Sequence, residues 1–312
     1  AAGQKLACPP LAAPALASEV QESRIARCEA RLKHNLFRAS HFAPQVLMHR
    51  PRKRFGQNFL RDQHVLDRIV NAAQLQAGDR ILEIGPGAGA LTDRLLETGL
   101  PILAIEIDRD LGAALQARTD HNLAVVIGDV LRMDWLALLS DPPYKMIANL
   151  PYNISSQVLF RVLEHRRLFQ RLVLMFQKEV GERLIAQAGS RDYGILSVLM
   201  QTWFRIDRVV KVPPKAFFPP PKVDSVVLSL APLSEPRIEV HDAALFRQLV
   251  RGAFAQRRKT LRNSLLGAGW QAEKIDRAFA AADIDCRRRG ETLTPEEFAG
   301  LANVFATDET GV

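Results

Sequence analysis

The chain has 312 residues, 47% hydrophobic and 24% charged, an ordinary balance for a soluble globular protein of two domains. Its 42 Lys and Arg against 34 Asp and Glu give a formal +8, which suits a polyanionic partner. Cys8, Cys28 and Cys286 match no disulfide framework or zinc spacing, and no apolar run approaches a membrane span, so a reducing, cytoplasmic setting without metal or membrane is expected.

Residues 1–47 are Ala/Pro-rich at their start, and the first methionine is Met48, just before the basic run Arg50 to Arg54. This segment is expected to be a poorly ordered extension with no catalytic part. Ala15-Leu16-Ala17 imitates a signal cleavage site, but Pro9, Pro10 and Pro14 break the apolar stretch before it. A basic amphipathic helix over Arg24–Arg38 would fit a transit peptide, against which Glu19, Glu22 and Glu29 count.

From residue 79 strand and helix patterns alternate. Strands are expected at Arg80–Ile84, Ile102–Glu106, Ala124–Ile127, Lys145–Ala148 and Leu172–Phe176. Helices are expected at Leu91–Glu97, Ala113–Arg118 and after Asn153. Such alternation implies a mainly parallel sheet covered on both faces. Phe204–Val212 and Val223–Leu230 read as two strands that close the sheet with an antiparallel edge. After Pro236 only helical spacing remains, at Ala243–Leu266, Gln271–Ala281 and Pro295–Val304. The division is therefore a catalytic α/β domain over 48–234 and a small all-α domain over 235–312.

Glu83-Ile84-Gly85-Pro86-Gly87-Ala88-Gly89 joins a strand to a helix, where glycines let the backbone pass close to a ligand. With Ala90 the segment also satisfies a dinucleotide pattern, and Glu106 lies where a ribose-binding acid belongs in either case. Asp129, just beyond the third strand, favours S-adenosylmethionine, since it can accept the exocyclic amine of adenine while Glu106 takes the ribose hydroxyls. The alternative for Asp129 is a cap on the following helix.

Asn149-Leu150-Pro151-Tyr152 follows the apolar run Met146-Ile147-Ala148 and offers an amide, a carbonyl, a stiff turn and an aromatic face. Those groups suit the amino group of an extruded base. Asp141-Pro142-Pro143-Tyr144 spells a related amino-methyltransferase motif but follows a short helix-like stretch, so it reads as a Pro-fixed turn. Ligands in open α/β sheets meet the carboxyl ends of strands, which places Asn149 for chemistry.

Together these segments resemble the ribosomal RNA adenine N6,N6-dimethyltransferases, most closely the bacterial type that modifies small-subunit ribosomal RNA. The resemblance spans about residues 50 to 305 and is carried by Arg54–Leu60, Glu83–Gly89, Asn149–Ser155, Gln177–Val180, Phe217–Ser225 and Gln256–Ser264. It implies a Rossmann-like class I fold and S-adenosylmethionine as methyl donor, held by Asn58, Leu60, Gly85, Gly87, Glu106, Asp129 and Asn149. It implies dimethylation of two adjacent adenosines near the 3′ end of small-subunit ribosomal RNA, within an immature subunit, by a monomer.

In that chemistry Asn149 and the Leu150 carbonyl accept from the N6 amine, Pro151 fixes the turn and Tyr152 stacks on the base. Phe217 is the expected opposite wall, Phe218 being the variable position. Stacking on a ring contributes about 1–3 kcal/mol, comparable to the cost of flipping a base. Core packing is the expected role of Phe55 and Phe59. Arg257, Arg258, Lys259 and Arg262, expected on one helix, are the candidates for RNA phosphates, with Arg52–Arg54 and Arg287–Arg289 as further clusters. Competing readings are a large-subunit RNA or DNA adenine methyltransferase, a ribosome-assembly or transcription factor that only binds, and a dehydrogenase.

Overall fold

The computed structural model describes residues 57–310, and side chains through residue 307. The expectations for residues 1–47, Arg52–Arg54, Phe55, Cys8 and Cys28 lie outside the described residues.

A short strand β1 (Phe59–Leu60) leads into helix α1 (Gln63–Ala73), capped by Asp62, whose side chain accepts from Val65 N–H. There follow β2 (Ile81–Ile84), α2 (Ala90–Leu96), β3 (Ile102–Glu106), α3 (Arg109–Gln116), β4 (Leu123–Ile127), α4 (Trp135–Leu138), β5 (Tyr144–Asn149), α5 (Ser155–Glu164) and β6 (Phe169–Gln177). Then come α6 (Lys178–Leu184), α7 (Ile195–Trp203), β7 (Phe204–Val212), β8 (Phe217–Phe218) and β9 (Ser225–Pro232), before the helices α8 (Ala243–Ala253), α9 (Leu261–Gly267), α10 (Ala272–Ala281) and α11 (Pro295–Thr310).

Seven strands form one sheet in the order β4-β3-β2-β5-β6-β9-β7, and β1 pairs with β8 in a separate two-stranded ribbon. β2 is buried along its whole length, as its apolar run requires of a central parallel strand covered by helices. The chain winds outward from β2 through β3 to β4, then returns to lay β5 on the other side of β2. That reversal opens a crevice at the carboxyl ends of β2 and β5, the usual ligand site of such sheets. β9 runs antiparallel to both β6 and β7.

Several elements differ from the sequence expectation. α3 begins at Arg109, earlier than the expected start at Ala113, because the Asp108 carboxylate accepts from Asp110 N–H and caps the helix there. The single helix expected over Ala243–Leu266 is two helices, α8 and α9, because the chain turns after Phe254 and Thr260 caps a new start by accepting from Asn263 N–H. Arg257, Arg258 and Lys259 therefore lie on a connecting turn and only Arg262 is helical. The C-terminal helices share one apolar core with the sheet: Leu172 of β6, Leu228 of β9, Phe246 and Leu249 of α8 and Phe298 of α11 belong to the same buried cluster.

Candidate active site

The floor of the crevice is built from buried carboxylates and backbone N–H groups. Glu106, at the end of β3, is buried and accepts from Gly87 N–H at 3.0 Å and from Asp108 N–H at 2.8 Å. Burial pushes its carboxyl above the ordinary range, and the backbone donors of Asp108 and Gly87 pull the other way. A carboxylate has about four acceptor positions, so these bonds orient Glu106 and leave capacity for a diol. Ile107 beside it is 42% exposed, an apolar surface at the mouth on which a flat ring can rest.

Gly85 and Gly87 adopt φ of +69° and +60°, a region that L side chains avoid. A Cβ on Gly87 would stand 3.0 Å from the Phe59 ring, and one on Gly85 would stand 3.6 Å from Pro151 Cδ. The loop after β2 thus lies directly against the turn after β5. Phe59, expected in the core, is half-buried and packs over the Gly87 backbone. Glu83, beneath the loop, is fully buried and accepts from Thr92 Oγ1 at 2.8 Å; burial pushes its carboxyl up to about 8.

Asp129 lies two residues beyond β4, whose Ile127 is paired in register with Glu106. Its Oδ1 accepts from Leu131 N–H at 2.9 Å and its Oδ2 faces Arg132 Nε at 3.5 Å. This is a turn cap, and the next helix is capped by Asp134 instead. Leu60 is buried in the apolar cluster that also holds Leu66, Val173 and Phe217.

The Asn149 side chain ends β5 and donates from Nδ2 to the Asn58 carbonyl at 3.2 Å, across 91 residues of sequence. Only the amide nitrogen can donate to a carbonyl, so this bond fixes which way the amide points and leaves Oδ1 as an acceptor. Leu150 is buried, Ile154 N–H donates to the Pro151 carbonyl at 3.1 Å, and Ser155 Oγ donates to the Tyr152 carbonyl at 3.1 Å. The Tyr152 hydroxyl shares a 2.6 Å hydrogen bond with Ser225 Oγ at the start of β9. Burial holds this phenol above its ordinary range, so it is neutral near pH 7.

Phe217 does not form an open wall opposite Tyr152. It is 4% exposed within the apolar cluster around α1, because it pairs with Leu60 in the β1–β8 ribbon and both turn inward. Phe218, which pairs with Phe59, faces out and is 48% exposed.

The second tetrapeptide is at the wrong end of the sheet. Tyr144 opens β5 and is buried, its hydroxyl donating to the Ser140 carbonyl at 2.8 Å, while exposed Asp141 pairs with Arg80 at 2.8 Å. At about 3.3 Å per residue the length of β5 separates this turn from Asn149.

The expected RNA-binding cations are partly neutralised within the chain. Arg262 makes two bonds to Asp276, at 2.7 and 2.8 Å, Arg287 pairs with Asp285, and Arg288 with Glu297. Arg257 donates to the Arg191 carbonyl at 2.6 Å and approaches Glu291 at 3.6 Å, whereas Arg258 and Lys259 are exposed on the same turn. The Gln57–Asp108, Thr92–Glu83 and Ser225–Tyr152 bonds were not anticipated from the sequence. Gln57 and Ser225 lie inside the segments that carry the family resemblance, and Asp108 follows Glu106 by two residues, the local signals that point to them.

A seven-stranded sheet with one reversed strand, a glycine loop after β2 and acids at successive strand ends define a class I S-adenosylmethionine-dependent methyltransferase. The sequence profile described as "Ribosomal RNA adenine dimethylase" matches residues 48–307. The chain is 62% identical to "Ribosomal RNA small subunit methyltransferase A" of Syntrophotalea carbinolica, over 82% of this chain and 97% of that protein. It is 49% identical to the protein of the same name from Geobacter metallireducens, over 82% of this chain and 96% of that one. Among solved structures it is similar to a dimethyladenosine transferase from Plasmodium falciparum, with a TM-score of 0.68, 28% identity and coverage of 80% and 98%. It is similar also to the 23S rRNA methyltransferase ErmE, with a TM-score of 0.60, 26% identity and coverage of 80% and 100%. The chain belongs to the ribosomal RNA adenine dimethylase family. Among the described residues no cluster of His, Cys, Asp and Glu could hold a metal ion, and no helix is long and apolar enough to cross a membrane.

Proposed function

We propose that the chain transfers two methyl groups to N6 of each of two adjacent adenosines in a loop near the 3′ end of small-subunit ribosomal RNA, acting as a cytoplasmic monomer on the immature subunit. The observation that carries the reading is the hydrogen bond from Asn149 Nδ2 to the Asn58 carbonyl, which leaves Oδ1 as an acceptor at the mouth of the crevice.

The crevice fits S-adenosylmethionine: side chains on Gly85 or Gly87 would fill the cradle, Glu106 is oriented to accept hydroxyls, and Ile107 offers an apolar surface beside it. When bound, the cofactor supplies an electrophilic sulfonium methyl group. Asn58, Leu60, Gly85, Gly87, Glu106, Asp129 and Asn149 would hold it, the Asp129 carboxylate taking the adenine amine.

The N6 amine of adenine is a weak nucleophile because its lone pair is delocalised into the ring. Asn149 Oδ1 and the Leu150 carbonyl accept hydrogen bonds from its N–H groups and reshape the nitrogen toward tetrahedral geometry, and each transfer releases one N–H proton to solvent. Pro151, held against Gly85, fixes the spacing between that nitrogen and the cofactor loop. Tyr152 stacks on the extruded base, its ring plane held by Ser225, and Phe217 backs the opposite wall from within the core. Residues 235–312 serve as the RNA-binding domain, in which Arg257, Arg258, Lys259 and Arg262 are the candidates for phosphate contacts, Arg257 and Arg262 by exchanging their internal partners.

Undermethylated small ribosomal subunits incubated with labelled S-adenosylmethionine are expected to acquire label in that loop. Label in large-subunit RNA instead would transfer the assignment to that substrate. No label in either, with folded protein that binds the cofactor, would refute the reading.

A further inference from the structure

The two-stranded ribbon β1–β8 places one large ring on the outside of the crevice's rim. Side chains alternate along a strand, so Phe217 turning inward obliges Phe218 to turn outward, and Phe218 is 48% exposed. About half of the Phe218 ring is left open to solvent, with the Arg61 guanidinium over it, so the outward turn leaves an aromatic surface at the rim. The same loop exposes Val223, at 45%, together with Lys222.

This ring lies close to the reaction centre. Phe218 is the register partner of Phe59, whose ring covers Gly87, and the residue before Phe59 supplies the carbonyl that holds Asn149. Paired strands are about 4.8 Å apart, so the rim residue is within the reach of a nucleotide adjoining one seated at Asn149. The Arg61 guanidinium lies 4.1 Å from the Phe218 ring centroid, and Arg61 N–H donates to the Ala216 carbonyl, which ties the two segments together. Among the described residues Arg61 makes no ion pair, unlike Arg262, Arg287 and Arg288 across the C-terminal helices. A planar cation on an exposed ring, without an acid, fits one ligand class: an unpaired nucleotide, with a flat base and a phosphate.

We propose that Phe218 and Arg61 form a second stacking site, which takes the single-stranded nucleotide adjoining the target adenosine. The base stacks on Phe218 and Arg61 pairs with its phosphate. The site holds the loop open while the neighbouring base occupies Asn149 and Tyr152, and it rests on the RNA substrate proposed above.

The test is methylation of undermethylated small subunits by wild type, Phe218→Ala, Phe218→Trp and Arg61→Gln. In parallel, a loop oligonucleotide carrying 2-aminopurine next to the target adenosine reports stacking by fluorescence quenching. Phe218→Ala is expected to raise KM for subunits about tenfold, as the loss of one base–ring stack predicts, with kcat and cofactor affinity within twofold of wild type. Phe218→Trp should restore KM and quenching. Arg61→Gln should lower the slope of log affinity against log salt by about one. An unchanged KM and unchanged quenching in Phe218→Ala would overturn the proposal. So would parallel losses of cofactor affinity and thermal stability in Phe218→Ala, which would mark the ring as structural support for the ribbon. If wild type labels no subunit RNA while quenching still depends on Phe218, the methyl-transfer reading fails and the stacking site stands.

Discussion

The floor and the rim of the crevice are built on different principles. The floor is held by buried polar groups bound over short stretches of chain: Glu106 to Gly87, Asp108 to Glu106 and Thr92 to Glu83, none more than 19 residues apart. The rim is held by contacts between distant segments, Asn149 with Asn58 across 91 residues and Tyr152 with Ser225 across 73. A floor of this kind binds one constant ligand, whereas a rim assembled from three separate segments can change its fit to RNA at residues, such as Phe218, that do not hold the cofactor.

The largest expected effect falls on the rim. Asn149→Ala removes the acceptor for the amine and should lower kcat by about 10²- to 10³-fold, the range seen when one preorganised hydrogen-bonding group is lost. Cofactor affinity, measured by calorimetry, should fall far less; an equal fall in both would erase the distinction between rim and floor.

Gly87→Ala addresses the floor. An alanine at φ +60° costs about 1–2 kcal/mol and its methyl group would meet Phe59, so cofactor affinity should weaken about tenfold. Calorimetry gives the affinity, and thermal unfolding separates loss of fold from loss of the cradle.

Glu83→Gln tests the buried floor through pH. In the folded protein Glu83 holds its proton up to about 8, against an ordinary value of 4.5. Between those values the folded state binds more protons than the unfolded state, so the stability this group contributes, fully present below about 4.5, is lost as pH rises toward 8. Glutamine mimics the protonated form, and urea unfolding of the variant should lack that decline. An identical pH profile in both proteins would show that Glu83 does not retain its proton in the fold.

Tyr152→Phe should have the smallest effect. The ring stays and only the Ser225 hydrogen bond is lost, worth about 0.5–1.5 kcal/mol, so kcat/KM should drop a few-fold. A drop beyond a hundredfold would give the phenol a chemical role and not a positioning one.

The same contrast governs what the sequence revealed. The glycine loop, Glu106 and Asp129 were legible because each follows its own strand, and strand ends can be read from local pattern. The same logic favours Asn149 over Asp141: Asn149 ends β5, whereas Asp141 lies in the turn before the strand begins at Tyr144. The sequence reads Phe217 as the wall opposite Tyr152, but its burial depends on pairing with Leu60, a contact no local pattern encodes. Arg257, Arg258 and Lys259 were placed on a helix because their neighbours keep helical spacing; the break arises where Thr260 caps a second helix. The acids that neutralise Arg262 and Arg288 likewise become partners only in the fold.

The direction of β9 carries a consequence of its own. Every parallel strand delivers its last residue to the crevice, but a reversed strand delivers its first, and β9 arrives there with Ser225 and the loop that precedes it. That loop enters the site late in the chain and shares no hydrogen-bonded strand with the glycine turn. Variation at its exposed positions Phe218, Lys222 and Val223 can therefore retune which RNA is accepted while Phe217 and its partner Leu60 stay fixed in the core, much as an interchangeable jaw is fitted to a fixed vice.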